Sequence, residues 1–356
     1  MTWLLAFLGF AFLIILHEAG HFFAAKAVGM RVERFALFFP PLIAKRKRGE
    51  TEYAIGSIPL GGYVKITGMN PAEDIPPEHA HRAYYRQPVW KRIVVIGAGP
   101  AVNIALAFAI MAGIFMARGP IEPPLVVGNV EANLPADGKL QNGDKVLAVD
   151  GNRLTGTYSE QLKQVTETVG KHKGDAVTFT VDRNGQTVTI SGNTFLDNKQ
   201  TPPRYRFGFG YDQEAMRTDL GPVASSGQAL DEMWFVTSTT VSHIAQIFDS
   251  EKRKEIGSVV GGYETTRAAI SIDWVTALYV LALISLSLGV INLFPFLPLD
   301  GGHIFWALAE KVRGKAIPFS VMERAGFIGF ALVLMLFVIG LSNDIDRIQN
   351  GGFGLR

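Results

Sequence analysis

The sequence predicts a multi-pass α-helical membrane protein: four transmembrane helices, a β-loop between the first two, and an αβ domain inserted between the second and third. Three observations carry this reading. The apolar residues, 48% of 356, are gathered into four runs. Basic residues are concentrated in two of the connections. One long connection changes to a period-two alternation. The mean hydropathy of +0.21 is high for a soluble chain of this length.

The first run, "WLLAFLGFAFLIIL" (3–16), continues through His17 to Gly29 and gives the first helix over 1–29. "IVVIGAGPAVNIALAFAIMAGIFMA" gives the second over 93–117, "WVTALYVLALISLSLGVI" the third over 274–291, and "AGFIGFALVLMLFVIGL" the fourth over 325–341. Each is close to the roughly 17–25 residues a helix needs to cross hydrocarbon. Four such runs in one chain argue against the buried helices of a soluble core. The first run lacks a basic leader and a small-residue cleavage site, so it reads as a retained helix.

Lys26, Arg31, Arg34, "KRKR" (45–48), Lys65, Arg82, Arg86, Lys91 and Arg92 lie between the first two runs, and Lys311, Arg313, Lys315 and Arg324 between the last two. By the positive-inside rule both connections, 30–92 and 292–324, are cytoplasmic. The long segment 118–273 and a tail over 342–356 are then extracytoplasmic. "KRKR" reads as an orientation signal facing anionic lipid; no nucleic-acid partner is expected, and a net charge of +2 says little about others. With no cysteine in the chain, neither disulfides nor thiolate ligands are available.

Within the first loop, "EYAIGSIPLGGYVKITG" (52–68) reads as a hairpin with glycines at its bends, followed by a polar, proline-rich loop over 70–90. Strand edges are not tolerated against lipid, so this hairpin should lie against protein or a water-filled cavity. Within 118–212, strands are expected at 125–131 and 144–151. A helix follows at 159–170, capped by Ser159 and closed by Gly170. A hairpin over 176–191 turns at Asn184-Gly185, and a last strand covers 204–212. Residues 225–250, within the region 213–273, have amphipathic helical spacing; His243 there reads as structural. After the third run come an Asp-Gly-Gly loop and a cytoplasmic helix.

The chemistry is concentrated in "HEAGH". His17 and His21 are four apart, which places both imidazoles on one helix face. Two nitrogens so placed can bind one Zn²⁺, with Glu18 beside the open position as general base. Ionisable residues inside a membrane helix mark function by default. A hydrolytic zinc site usually takes a third protein ligand, and "INLFPFLPLDGGHIFWALAE" (291–310) offers Asp300, with His303 as a competitor. His17 lies about 22 Å along the first helix, in its inner half. The third helix runs inward and delivers Asp300 to the same side. "VVIGAGPAV" (94–102) is a dinucleotide-fingerprint decoy: the third glycine is missing and no βαβ unit surrounds it.

"HEAGH", "GPAVN" and "NLFPFLPLDGG", in this order, resemble the site-2 protease family of intramembrane zinc metalloproteases, and the arrangement resembles its bacterial RseP type. The resemblance covers nearly the whole chain. It implies His17, His21 and Asp300 as Zn²⁺ ligands and Glu18 as general base, in the bacterial inner membrane with the zinc site toward the cytoplasm. It implies substrate contacts at Asn292 and Asn103, and at Gly61, Gly62 and Tyr63 of a membrane-dipping β-loop. The inserted segment is similar to a circularly permuted PDZ domain, with "FGFG" (207–210) as a loop for a peptide C-terminus. Two departures stand out: prolines fall at 295 and 298 rather than 295 and 297, and there is room for one PDZ domain, not two. The expected function is cleavage of single-span membrane proteins, such as an anti-sigma factor or a remnant signal peptide, in regulated proteolysis. The alternative is a catalytically silent scaffold in the bilayer that binds peptides through its PDZ domain.

Overall fold

The computed structural model describes residues 1–70, 73–198, 203–218, 220–246, 249, 253–254 and 256–349. In chain order the elements are α1 (Thr2–Ala27), β1 (Val32–Arg48), β2 (Thr51–Ile66), two 3₁₀ turns (Pro77–Arg82 and Tyr84–Arg86) and α2 (Val89–Arg118). Then come β3 (Leu125–Val130), β4 (Lys145–Val149), β5 (Asn152–Arg153), α3 (Tyr158–Lys171), β6 (Ala176–Arg183), β7 (Gln186–Asn193), β8 (Phe195–Asp197), β9 (Arg204–Arg206) and β10 (Phe209–Tyr211). The chain continues with α4 (Pro222–Ala245), α5 (Val259–Ile272), α6 (Trp274–Asn292), α7 (Asp300–Arg313) and α8 (Phe319–Gln349). It divides into two compact units, Met1–Ala109 with Gly257–Gly340, and Ile110–Ile256 with Leu341–Arg356.

Four helices of the described residues are long and apolar enough to cross a membrane: Thr2–Ala27, Val89–Arg118, Trp274–Asn292 and Ser320–Gln349, with mean hydropathies of 1.9, 2.2, 2.2 and 2.5. Large apolar side chains lie outside, Phe23 at 67%, Phe327 at 71% and Ile328 at 66% exposure, as suits a surface solvated by lipid tails. Close approach therefore depends on small residues. A Cβ on Gly20 of α1 would come within 2.6 Å of the Ala98 carbonyl oxygen on α2, and one on Gly289 of α6 within 3.0 Å of the Pro100 carbonyl oxygen. Asp273 closes α5 through its N–H, which donates to the Ala269 carbonyl, and its carboxylate accepts from Val275 and Thr276 N–H at the start of α6.

The β-loop is larger than the hairpin expected over 52–68. That stretch supplies one arm, β2, and the other arm, β1, begins at Val32. Both arms bend. Arg34–Leu37 faces Lys65–Gly62 on one side and Glu52–Ile55 on the other, while Ala44–Arg48 runs back along Ile55–Thr51. The bend is made at Phe38, where φ is +70°, and a Cβ on Gly56 would sit 2.1 Å from the Phe39 carbonyl oxygen. The "KRKR" run thus forms an exposed outer strand.

In the second unit the sheet order is β10-β3-β4-β6-β7, with β5 on β4 and a separate β8-β9 pair. Alternation buries Val127, Val146, Val177 and Phe179 completely. The β6–β7 hairpin turns at Asn184 and Gly185, both with positive φ, as expected. Three expectations need correction. α3 is capped by Thr157, in a capping box with Glu160, while Ser159 donates its hydroxyl to Glu232; the box satisfies two orphan N–H groups where a Ser159 cap would satisfy one. Gly170 lies inside α3, which ends at Lys171. The last strand is split, because Gly208 (φ +93°) sends β9 to β8 and β10 to β3.

Among the described residues, the region after the sheet holds α4, which covers most of the helix expected over 225–250 and has His243 in its last turn, and then α5. The fourth apolar helix also continues to Gln349, so the expected tail over 342–356 is helical to that point, and 350–356 lie outside the described residues.

Candidate metal centre

α1 places His17 and His21 one turn apart with both imidazoles buried and their Nε2 atoms 3.2 Å from each other. Asp300, the first residue of α7, brings its Oδ2 to 3.2 Å from His17 Nε2 and 3.3 Å from His21 Nε2. Among the described residues these three form the one group of potential ligands gathered closely enough to hold an ion; His303 is not in it. The Asp-Gly-Gly sequence explains how Asp300 arrives. A Cβ at Gly301 would lie 2.1 Å from the Leu293 carbonyl oxygen, and one at Gly302 2.5 Å from the Leu297 nitrogen. Only glycines let the first turn of α7 fold back onto the 293–297 segment.

Second contacts orient the imidazoles. His21 Nδ1 lies 2.9 Å from the Val95 carbonyl oxygen of α2. A carbonyl accepts only, so Nδ1 carries the proton and, in the neutral ring, Nε2 presents a lone pair to the group. Gly99 of α2 lies flat against both rings: a Cβ there would be 2.3 Å from His21 Nε2 and 2.9 Å from His17 Nε2.

The residues fit a zinc ion. Four tetrahedral ligands at ~2.0–2.1 Å from one centre are ~3.3–3.4 Å apart, and the three edges here are 3.2, 3.2 and 3.3 Å. Asp300 Oδ2 and His17 Nδ1 are buried without a hydrogen-bond partner. The Nε2 lone pairs and the carboxylate oxygen that face one another in this buried site are a donor set that a cation between them would satisfy.

The other predicted residues are placed unequally. Gly62 packs on Glu18: its Cβ would be 2.8 Å from Glu18 Cγ and 2.9 Å from the Ala36 carbonyl oxygen. β2 therefore runs beside the expected base. Gly61 lies against the Phe39 ring, on which Tyr63 stacks at 6.2 Å, and the Tyr63 hydroxyl accepts from Arg34. Asn292 donates its amide to the Leu288 carbonyl of its own helix. Asn103 is completely buried, and both polar atoms of its side chain are unpartnered; Ser285 donates to its main-chain oxygen. Neither asparagine joins the ligand group. Sequence reasoning missed the Val95 carbonyl, which has no side-chain signature, and the contact made by Gly99, whose motif was noticed but not its reason.

Among solved structures, the PDZ domain of an SdrC-like protein from Listeria monocytogenes aligns with 26% of this chain over 93% of its own, at 16% identity and a TM-score of 0.22. A likeness of that extent fixes no fold. Similarity in sequence reaches further. A candidate zinc metalloprotease of Brucella suis is 30% identical over 354 residues, covering 93% of this chain and 92% of its own. A candidate zinc metalloprotease of Clostridium perfringens is 31% identical over 343 residues, covering 96% and 97%. The zinc metalloprotease Rip1 of Mycobacterium tuberculosis is 29% identical over 347 residues, covering 84% and 83%. The profile of peptidase family M50 matches residues 5–336, a span holding both histidines, Glu18 and Asp300, and the chain therefore belongs to peptidase family M50, the site-2 protease family.

Proposed function

We propose that this metalloprotease is an intramembrane endopeptidase that cleaves peptide bonds of single-span membrane proteins in regulated proteolysis. The observation that carries the reading is the triangle that His17 and His21, on the apolar helix α1, form with Asp300 at the start of α7, with edges of 3.2–3.3 Å. His17, His21 and Asp300 would hold Zn²⁺, which when bound lowers the pKa of a water and polarises the scissile carbonyl.

The chain's own residues do the rest. Glu18, next to His17, takes the proton from the attacking water and passes it to the leaving amine. Val95 holds His21 in the tautomer that leaves Nε2 free for the metal. A substrate helix hides its carbonyls in its own hydrogen bonds, so it must be extended before attack. The stretch Gly61-Gly62-Tyr63 of β2, beside Glu18, offers a strand edge to which an unwound segment can pair. The opposite outer strand carries Lys45, Arg46, Lys47 and Arg48, charges that discourage pairing there. Asn292 supplies a carboxamide for substrate backbone within the bilayer. The β3–β10 unit takes the PDZ role at the extracytoplasmic face of the bacterial inner membrane, presenting residues 207–210 to a peptide C-terminus. Anti-sigma factors and remnant signal peptides are substrates of the chemistry expected.

Glu18→Gln tests the mechanism: the variant should keep stoichiometric zinc and lose 10²–10⁴-fold in cleavage of a model transmembrane substrate. Undiminished cleavage rejects Glu18 as the base, and wild-type protein purified without zinc favours a catalytically silent scaffold.

A further inference from the structure

α2 touches both histidines of the metal centre. Through Val95 it orients His21, and through Gly99 it lies on both imidazoles. Its cytoplasmic end carries a second connection that the ligand set does not explain. The Arg92 guanidinium, 8% exposed, donates both terminal nitrogens to the two oxygens of Glu310, at 2.8 and 2.9 Å. Glu310 stands on α7, ten residues after Asp300. Between them, Ile304 of α7 lies 3.8 Å from where a Cβ on Gly97 would be. α7 therefore runs antiparallel along α2, with Asp300 at the Gly99 level and Glu310 at the Arg92 level. The Tyr84 ring, from the 3₁₀ turn before α2, covers the guanidinium at 5.9 Å.

We propose that the Arg92–Glu310 pair is a positioning latch for the third ligand: it sets the line of α7 against α2 and so the place of Asp300 relative to the two histidines. The inference rests on reading His17, His21 and Asp300 as zinc ligands. The lever is long. Ten helical residues span about 15 Å, so a tilt of about 5° at the Glu310 end moves the Asp300 end by about 1 Å. Metal–ligand distances hold to about 0.2 Å. The bidentate fork suits such a role because it fixes direction as well as distance. α7 has no side-chain cap at Leu299, so its start is held by the glycine contacts and its far end by this pair.

The test is the rate of zinc loss from full-length protein in detergent, measured with a chromogenic chelator in excess. Glu310→Gln should lose zinc 10–100-fold faster than wild type, as supporting contacts around metal ligands typically weaken binding. The charge swap Arg92→Glu with Glu310→Arg should restore most of the loss. Glu33→Gln, which removes an ion pair with Lys65 and Arg31 elsewhere in the same unit, is the control and should leave the rate unchanged. A wild-type rate in folded Glu310→Gln overturns the latch, as does an equal acceleration in the Glu33→Gln control. Should Glu310→Gln fail to fold, Arg92→Lys, which keeps charge but loses the fork, takes its place under the same criterion. Absence of zinc from wild type would reject the ligand reading itself, a result separate from the other two.

Discussion

The two units keep their order by opposite means. The unit of β3–β10 has an interior of the water-soluble kind, in which Leu125, Val127, Val146, Val177 and Phe179 are fully buried, and its buried carboxylates Asp144 and Asp197 are paired with the partly exposed Arg183 and Arg206. The unit of α1, α2, α6 and α7 buries a smaller apolar cluster around Met30, Val32, Ile66 and Val95, but turns many large apolar side chains outward and brings glycines, imidazoles and carbonyls inward around the candidate site. Burial of apolar area drives the first kind of folding but gives little advantage where the outside is hydrocarbon. In the helical unit the interior is therefore free to be polar, and the candidate site occupies it. The lesson is that close backbone contact replaces apolar volume as the determinant of geometry near the metal.

Three measurements would break or sharpen that contrast. The largest effect is expected in the apolar interior. Phe179→Ala should destabilise the α/β unit by about 3–5 kcal/mol, seen as a low-temperature melting step and early proteolysis, while zinc content stays at the wild-type level. Loss of zinc in that variant would contradict the division. Next, Gly99→Ala should cost the metal 10–100-fold in affinity, because the added Cβ would overlap His21 Nε2, with the melting step of the α/β unit unmoved. Tight zinc binding in Gly99→Ala would show that the rings can retreat.

The smallest effect concerns the connection between α1 and α2. Arg82, and Lys26 beside it, hold the Glu50 carboxyl down from 4.5 to about 2. The folded value lies below the unfolded one, so this contribution is complete above about pH 4.5 and fades as pH falls toward 2. Glu50 is partly exposed, which limits the effect to about 1 kcal/mol. Wild type and Glu50→Gln should differ in melting temperature at pH 6 and converge at pH 2.5; a constant difference would exclude the charge pair as its cause.

Much of the site was legible because its signals are local. His17, Glu18 and His21 share one turn, and Asp300 is marked by the glycines that fold α7 back on its own loop. The four apolar helices were legible for the same reason. What escaped depends on partners far along the chain. β1 could not be foreseen as the second arm of the loop, since the polar run Lys45–Arg48 hides a strand whose register comes from bends at Phe38 and Gly56. The cap of α3 is a local exception: Glu160, three residues after Thr157, already marks Thr157 as the capping-box residue, and choosing Ser159 passes over it. Arg92 and Glu310, 218 residues apart, are each an ordinary charge at a helix end until the fold pairs them.

The distance between His21 and Asp300 also has a meaning in time. A ribosome adding roughly 5–20 residues per second needs about 14–56 s to travel the 279 residues from one to the other. For that interval the nascent chain offers two imidazoles and no carboxylate partner, and until Val95 has been made and α2 inserted, His21 has no fixed tautomer either. On the proposed ligand set, a growing chain in the crowded insertion machinery is hydrolytically silent toward its neighbours, and competence arrives only once Asp300 has been made and α7 has folded.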